Sequence, residues 1–380
     1  MTEPTATATV STLPLEGYRV VDFTTMAAGP LLGSILADFG AEVIKVESRS
    51  RIDPMRMGPE NLERHSEKDP AFLHANRNKM GITLNFNKRE AIDLVKKLIA
   101  VSDVVIENFS PRVMPKWGLD YASLKQVKQD IIMVSLSACG QEGPLKDVVA
   151  YGPTLSSLSG IDSLVGYEDG RPLGTQGFYT DWNSPIHAAM AVLMALWHRE
   201  RTGIGQYVDS GQWQTTISCL PEAVMDFVMN GRVAQPRGNV QPGFAPHNVY
   251  PCCDEDKWVS ICVRTDAEWR SLREAIGDPA WAGDEKYATQ SGRYAHRDEL
   301  DKRLAEWTAL KTHHEVAGLL QARGVAAMPF LDSSERLFDP HLEAREAYTE
   351  VTHPLMGTYI IGGIPWRLSK TPGRIRRPSP

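Results

Sequence analysis

The amino-acid sequence predicts an α/β protein with a large Rossmann-like domain, built on a parallel sheet, and a smaller α+β domain. Strand and helix patterns alternate from Leu15 onward, which is typical of a parallel sheet covered by helices. Around residues 228–248 the sequence becomes rich in Gly, Pro and Asn, which indicates a linker or loop. A hairpin pattern and further helices follow, so a second unit begins there.

The first elements form a βαβ unit. Residues 18–25 are an apolar run typical of a buried strand, Pro30 opens a short helix, and residues 41–48 form the next strand. The pattern then gives a helix, a strand, a helix and a strand, at residues 87–100, 102–109, 121–129 and 130–140. Ligands of open α/β sheets bind outside the carboxyl ends of the strands, so candidate site residues are those that follow them.

A long apolar helix is predicted at residues 185–201. Ser184 and Pro185 are a good N-cap and first-turn pair, and a basic last turn followed by Gly203 indicates the end. On this prediction Asp181 lies just outside the N-terminus. Free backbone amides and the helix dipole favour an acid there, which is one explanation for its position.

The predicted domain organisation has five parts. They are a disordered leader (1–14), the large domain (15–225), a linker (226–244), the small domain (245–335) and a C-terminal segment that returns to the large domain (336–380). Within the small domain we expect a hairpin over residues 250–263, helices, and a strand at 324–331.

Composition restricts the partners and the location. The 380 residues carry a formal net charge of -6, with well-mixed charges, which argues against binding to nucleic acid or to an anionic membrane. Five cysteines without framework spacing fit a reducing compartment, so we expect a cytoplasmic protein. The longest apolar stretch, residues 186–197, is too short to span a bilayer.

Several familiar motifs are missing from the sequence. Glu47 ends the second strand, where dehydrogenases place a ribose-binding acid, but the first turn lacks G-x-G-x-x-G. G-x-S-x-G, H-E-x-x-H, P-loop and C-x-x-C patterns are also absent. His187 and His198 are assigned to the buried long helix, and Cys252 and Cys253 to the hairpin, so no metal site is predicted.

Six segments, in order along the chain, carry a resemblance to a known family. They are LEGYRVVDFTTMAAGP (15–30), LADFGAEVIKVES (36–48), NRNKMGITLNF (76–86), SDVVIENFSPRVMPKWGLDY (102–121), VSLSACGQEGP (134–144) and HRERTGIGQYVD (198–209). Together they resemble the family III CoA-transferases, which include the formyl-CoA, carnitine-CoA and benzylsuccinate-CoA transferases. The resemblance implies a homodimer of interlaced chains that moves CoA from an acyl-CoA to a carboxylic acid.

The resemblance also assigns Asp181 as the catalytic nucleophile. A carboxylate that attacks a thioester forms a mixed anhydride, and the returning CoA thiolate then gives an aspartyl thioester. This chemistry needs no metal and no general base, because both carboxylates are ionised at neutral pH.

The same resemblance predicts the CoA site at the strand ends. It places Met26, Ala27 and Ala28 near the thioester, Arg49 and Lys116 at phosphates, Leu84 at the adenine, Asn108 and Phe109 along the pantetheine arm, and Ser137 and Cys139 beside the active site.

Two departures from the family narrow the function. The formyl-CoA branch has a glutamine where this chain has Ala27, and its run of glycines is missing from residues 237–244, so formate and oxalate are disfavoured. Related racemases use His and Asp in the segment that corresponds to residues 148–160, which contains neither. An acyl-CoA racemase or isomerase, and a non-catalytic CoA-binding subunit of a heteromer, remain the alternatives.

Overall fold

The computed structural model describes residues 13–56, 69–168 and 170–380, so most of the predicted leader lies outside the described residues. The strands are β1 (Arg19–Asp22), β2 (Glu42–Glu47), β3 (Met80–Thr83), β4 (Val104–Glu107), β5 (Ile132–Ser137), β6 (Tyr207–Gly211), β7 (His247–Pro251), β8 (Trp258–Cys262), β9 (Ala326–Pro329), β10 (Tyr348–His353) and β11 (Gly357–Gly362).

The helices of the first half are α1 (Ala28–Asp38), α2 (Pro70–Ala75), α3 (Arg89–Ala100), α4 (Val113–Lys116), α5 (Tyr121–Val127), α6 (Gly152–Ser159), α7 (Tyr179–Thr202), α8 (Gln212–Ile217) and α9 (Pro221–Asn230). Those of the second half are α10 (Asp266–Ala275), α11 (Gln290–Ala295), α12 (Arg297–Thr308), α13 (His313–Gln321), α14 (Ser333–Leu337) and α15 (Pro340–Ala344). Among the described residues, no helix combines the length and the apolarity needed to cross a membrane.

The chain forms two compact units. Among the described residues, the larger contains 13–56, 69–162, 174–234 and 341–380, and the smaller contains 163–168, 170–173 and 235–340. The chain therefore leaves the larger unit twice, once for the short excursion at 163–173 and once for the bulk of the smaller unit.

A six-stranded parallel sheet forms the centre of the larger unit, in the order β3-β2-β1-β4-β5-β6. The sequence predicted four of these strands and their parallel arrangement, which the structure confirms. It did not predict β3 or β6, because these edge strands lack a continuous apolar run. The strand order reverses between β1 and β4, and this is the position where open α/β sheets bind ligands.

Alternate residues of each central strand enter separate cores on the two faces of the sheet. Val20 and Val104 belong to the core that includes α1 and α7. Val21 and Val105 belong to the core that includes α3. Because successive strand side chains point to opposite faces, central strands covered on both sides must be apolar throughout.

The prediction for the long helix was wrong at its start. Helix α7 begins at Tyr179, so Asp181 lies in its first turn and Pro185 lies inside the helix. Ser184 does not cap the helix, because its hydroxyl donates to the carbonyl of Thr180 at 2.6 Å. The predicted end is confirmed, since Gly203 adopts the left-handed conformation that often ends a helix.

The predicted burial of α7 was also wrong. His187 and His198 are exposed, and one side of the helix presents apolar side chains to solvent in this single chain. The sequence shows that most faces of α7 are apolar, but it does not show which face the sheet covers.

The smaller unit contains a three-stranded antiparallel sheet, β7-β8-β9, with its own hydrophobic core. The predicted hairpin and third strand are confirmed. In the C-terminal segment an unpredicted hairpin, β10-β11, precedes a tail whose Arg374 N–H donates to the Asp38 carbonyl at 2.9 Å.

Candidate active site

A cavity of about 710 Å³ lies in the larger unit, at the carboxyl ends of the central strands. Strands β1 and β4 contribute the residues that follow them, and helix α7 contributes Asp181. Seven of the residues predicted for the site line this cavity: Met26, Ala28, Asn108, Phe109, Lys116, Ser137 and Asp181. Residues far apart in sequence thus meet at the position that the fold class predicts.

Four predicted site residues are not among the cavity's lining residues. Cys139 is buried, Leu84 packs against the core that includes α3, Arg49 is exposed, and Ala27 is the half-buried residue that precedes α1. Their roles in CoA binding remain predictions from the resemblance.

Two side chains fix the loop between β1 and α1. Both ends of the Asn108 amide bond the backbone of Thr25: the Thr25 N–H donates to Oδ1 at 2.9 Å, and Nδ2 donates to the carbonyl at 2.8 Å. Asp53 accepts from the Met26 N–H at 3.1 Å. Met26 has a positive φ of 65°, which is uncommon for a residue with a side chain, so these bonds stabilise a conformation that the loop would otherwise rarely adopt.

Two buried ion pairs lie next to the same loop. Lys45 donates to the Asp53 carboxylate at 3.1 Å and to the Thr24 carbonyl at 2.8 Å. Lys79 donates to Asp22 at 2.8 Å, and burial lowers the pKa of Lys79 to about 8. Removing one partner of such a pair leaves an uncompensated buried charge, so the pairs fix the geometry of the strand end.

Asp181 meets the start of another helix. The backbone N–H of Gly152, the first residue of α6, lies next to the Asp181 carboxylate and favours its ionised form. A Cβ atom at position 152 would lie 2.2 Å from Asp181 Oδ2, so only glycine permits this approach. In addition, Thr180 Oγ1 donates to the Gly152 carbonyl at 3.2 Å.

The environment of Asp181 favours the protonated form more than water does. Burial raises its pKa to about 6, and the nearby Gly152 N–H acts in the opposite direction. A carboxylate with a raised pKa is a better nucleophile than an ordinary surface aspartate, yet it is still mostly ionised at neutral pH. A simple helix-capping acid would have its pKa lowered, so this environment differs from that of a cap.

Basic residues that the sequence reasoning did not select also line the cavity. They are Arg51, Arg112 and Lys146, together with the predicted Lys116. Arg112 precedes Lys116 within one of the resemblance segments, which could have drawn attention to it, whereas no pattern marks Arg51 or Lys146. All four side chains are exposed, so the protein can hold them charged at no desolvation cost, and they can pair with an anionic ligand.

One group among the described residues could hold a metal ion, and it belongs to the smaller unit. His313, His314 and Glu335 bring ligand atoms within 4.8 Å of one another. However, Lys257 already donates to Glu335 at 2.7 Å, and an ammonium so close opposes a cation. We therefore assign no metal to the group.

The raised pKa of Asp181 predicts a stability effect that does not depend on function. The folded protein holds the proton more tightly than the unfolded chain, so the carboxyl's contribution to stability falls as pH rises from about 4 to about 6 and stays low above that. We expect Asp181→Asn to have a higher Tm than the wild type at pH 7.5, and the gap to close below pH 4.

Calorimetry over this pH range measures the effect. Asp162→Ala is a suitable control, because Asp162 accepts hydrogen bonds from the Thr175 N–H at 3.0 Å and the Ser157 hydroxyl at 2.9 Å, and their loss should lower Tm. An Asp181→Asn variant that is less stable than the wild type at pH 7.5 would contradict the assigned pKa.

Comparison with known proteins gives a consistent result. The family model described as CoA-transferase family III matches residues 15–380. The chain is 34% identical over 364 residues to a succinyl-CoA–D-citramalate CoA-transferase of Chloroflexus aurantiacus, which covers 95% of this chain and 89% of that protein. It is 33% identical to a succinate–glutarate CoA-transferase of Agrobacterium fabrum, with 97% and 92% covered.

A solved structure agrees with these relatives. The crystal structure of a CAIB/BAIF family protein from Brucella suis superposes with a TM-score of 0.89 at 31% identity and covers 97% of this chain and 96% of that chain. The sequence matches extend over nearly the whole chain and include both units. The protein therefore belongs to CoA-transferase family III and is a CoA-transferase, as its sequence motifs predicted.

Proposed function

We propose that the protein moves CoA from an acyl-CoA thioester to a carboxylic acid through a covalent intermediate on Asp181. The observation that carries this proposal is the placement of the Asp181 carboxylate, which lines the cavity at the strand ends and is partly withdrawn from water. Several relatives act on succinyl-CoA or succinate according to their names, so succinyl-CoA is the first donor to test.

The proposed reaction has two matched halves. Asp181 attacks the acyl carbon of the donor and CoA leaves as a thiolate, giving a mixed anhydride. The thiolate then attacks the Asp181 carboxyl carbon, which releases the donor acid and leaves an aspartyl-CoA thioester. The acceptor carboxylate repeats the two steps in reverse order, so the aspartate is regenerated and no water, metal or redox partner is consumed.

The cavity supports this chemistry through the groups it combines. The loop between β1 and α1 would approach the thioester, while Phe109 would contact the pantetheine arm. Asn108 lines the cavity as predicted, but both ends of its amide already bond Thr25, so we propose that it shapes the loop rather than binding CoA directly. Lys116 and Arg51 would contact phosphates.

The five cysteines form no disulfide bonds, which supports the predicted location in the reducing cytoplasm. No specific observation favours a racemase, because residues 148–160 contain neither the His nor the Asp that the related racemases use there. A non-catalytic subunit would not require a desolvated carboxylate in the cavity.

We expect Asp181→Ala and Asp181→Asn to abolish CoA transfer without loss of CoA binding. Only the chemical step loses its nucleophile, so kcat should fall by at least about 10⁴-fold, as for other enzymes that lose a nucleophile. Transfer from succinyl-CoA to a panel of carboxylic acids, read by mass spectrometry, gives the rate, and calorimetry gives the CoA affinity.

Asp209→Asn is the matched control, since this second acid lies within β6, paired with Ser135 of β5, and is not among the cavity's lining residues. It should keep most of the activity. Near-normal transfer by Asp181→Ala would refute the proposal, whereas isomerisation of a branched acyl-CoA without an acceptor would favour the racemase alternative.

Two neighbouring arginines distinguish the sequence-based and cavity-based placements of the CoA phosphates. Arg51 lines the cavity and Arg49 does not. We expect Arg51→Ala to raise the Kd for CoA about tenfold, the loss of roughly one charge-assisted hydrogen bond, and Arg49→Ala to change it less than about twofold. Calorimetry on both variants decides, and a larger effect at Arg49 would favour the placement drawn from the resemblance.

We also propose that two copies of the chain associate through the exposed apolar faces of α7 and α9. On α7 these residues are Ile186, Met190, Leu193, Met194 and Trp197, of which Trp197 is 63% exposed. Helix α9 has no buried residue, although most of its side chains are apolar. Continuous apolar faces of this kind mark association surfaces in soluble proteins, and a second copy is the partner that the family resemblance implies.

Replacing Trp197 by Glu should dissociate the homodimer, because it would place a charge within an apolar contact. The wild type should remain dimeric at nanomolar concentration, as judged by mass photometry. Leu94→Glu on α3, where Leu94 is 54% exposed, should have no effect. A wild-type monomer at these concentrations would contradict the proposal.

A further inference from the structure

The reaction proposed above makes an unusual demand on Asp181. In two of its steps Asp181 is not the nucleophile: the CoA thiolate, or the acceptor carboxylate, attacks the Asp181 carboxyl carbon itself. That carbon becomes tetrahedral and one Asp181 oxygen becomes an oxyanion. A site that holds such an oxygen beforehand with a hydrogen-bond donor stabilises the transition state of these steps.

The Gly152 N–H already occupies this position. It lies next to the Asp181 carboxylate and favours the charged form, and the space next to position 152 is so narrow that a Cβ would lie 2.2 Å from Oδ2 and 3.1 Å from Cγ. As the first residue of α6, an eight-residue helix, Gly152 has an N–H that the helix does not use internally. No carbonyl within α6 therefore competes with the Asp181 oxygen for this amide.

We propose that the Gly152 amide is the oxyanion donor for the Asp181 carbonyl in the steps that form and break the aspartyl-CoA thioester. When thiolate attacks the anhydride at the Asp181 carboxyl carbon, the C–S bond forms, the carbonyl electron pair moves to the oxygen held by Gly152, and its return expels the donor carboxylate. The reverse sequence serves the acceptor. This inference rests on the proposed function.

Thr180 makes the donor rigid. Its fully buried hydroxyl donates to the Gly152 carbonyl at 3.2 Å, so this hydrogen bond ties Gly152 to α7 and holds its N–H next to Asp181. Thr180 precedes Asp181 in the chain, and the N-terminal turns of α6 and α7 therefore move together. Thr180 is a positioning residue, because it acts on the reacting atoms only through Gly152.

The need for glycine at 152 comes from space rather than from backbone conformation. Gly152 is not among the glycines with positive φ, so alanine could adopt its backbone angles. The substituted Cβ would instead displace the Asp181 carboxylate and separate the donor from the oxygen. Gly152→Ala is thus expected to act on catalysis more than on folding.

Three variants test the inference in the full-length enzyme. Gly152→Ala displaces the carboxylate, Thr180→Val removes the hydroxyl while keeping the shape, and glycolic acid incorporated at position 152 replaces only the N–H by an ester oxygen. Gly318→Ala is the matched control, because nothing lies within 4 Å of the added Cβ. We expect the glycolate variant to lose about 10²–10³-fold in kcat with an unchanged KM for acyl-CoA.

The pH profile separates this role from a purely structural one. Loss of the Gly152 N–H removes the influence that lowers the pKa of Asp181, so the acidic limb of kcat/KM should move upward from about 6 in the glycolate variant. Thr180→Val should reduce kcat less, with the same direction of shift. Gly318→Ala should match the wild type in rate and profile.

The outcomes distinguish this inference from the proposed function. If the glycolate variant keeps wild-type kcat while Asp181→Asn is inactive, Asp181 is the nucleophile but Gly152 is not its oxyanion donor. If Asp181→Asn itself transfers CoA, the proposed function fails and this inference fails with it. A glycolate variant with a raised KM and normal kcat would assign Gly152 to substrate binding and overturn the inference.

Discussion

The close approach of Asp181 to the backbone of Gly152 is the contact on which the candidate site depends. It brings together the first turns of two helices and leaves the carboxylate between them, next to the Gly152 backbone and with little contact with water. Burial raises the free energy of the ionised Asp181 side chain. A carboxylate destabilised in this way is a more reactive nucleophile. The cost is a loss of stability at neutral pH, which functional sites commonly show.

Other buried contacts of the larger unit fix the strand ends that form the cavity around Asp181. Asp22 and Lys79, and Lys45 and Asp53, are ion pairs whose side chains have no exposed surface, and they lie beneath the loop that follows β1. Asn108 joins the ends of β1 and β4 across the position where the strand order reverses. Buried charges of this kind contribute little net stability, but they tolerate few alternative arrangements, so they specify the shape of the strand ends.

Local patterns predicted the fold well, and contacts between distant segments limited the prediction of the site. Apolar runs such as residues 102–109 and 130–140 identify buried strands, because both faces of a central strand must be apolar. The start of α7 was missed because Ser184 and Pro185 form a good local start signal, whereas the true start depends on packing against α6 and α8. Asp181 could be assigned only through the family resemblance. Gly152 could not be found from sequence, since its importance comes from a contact across 29 positions of the chain.

The central claim is that Asp181 carries the activated carboxyl group during transfer, and trapping that group tests it most directly. Wild-type enzyme is incubated with succinyl-CoA, treated with hydroxylamine, and mapped by peptide mass spectrometry. Hydroxylamine attacks anhydrides and thioesters, so the account predicts a hydroxamate at Asp181 that requires the acyl-CoA and is absent from Asp181→Asn. A modification at another residue, such as Cys139, or no acyl-dependent modification under turnover, would contradict the account.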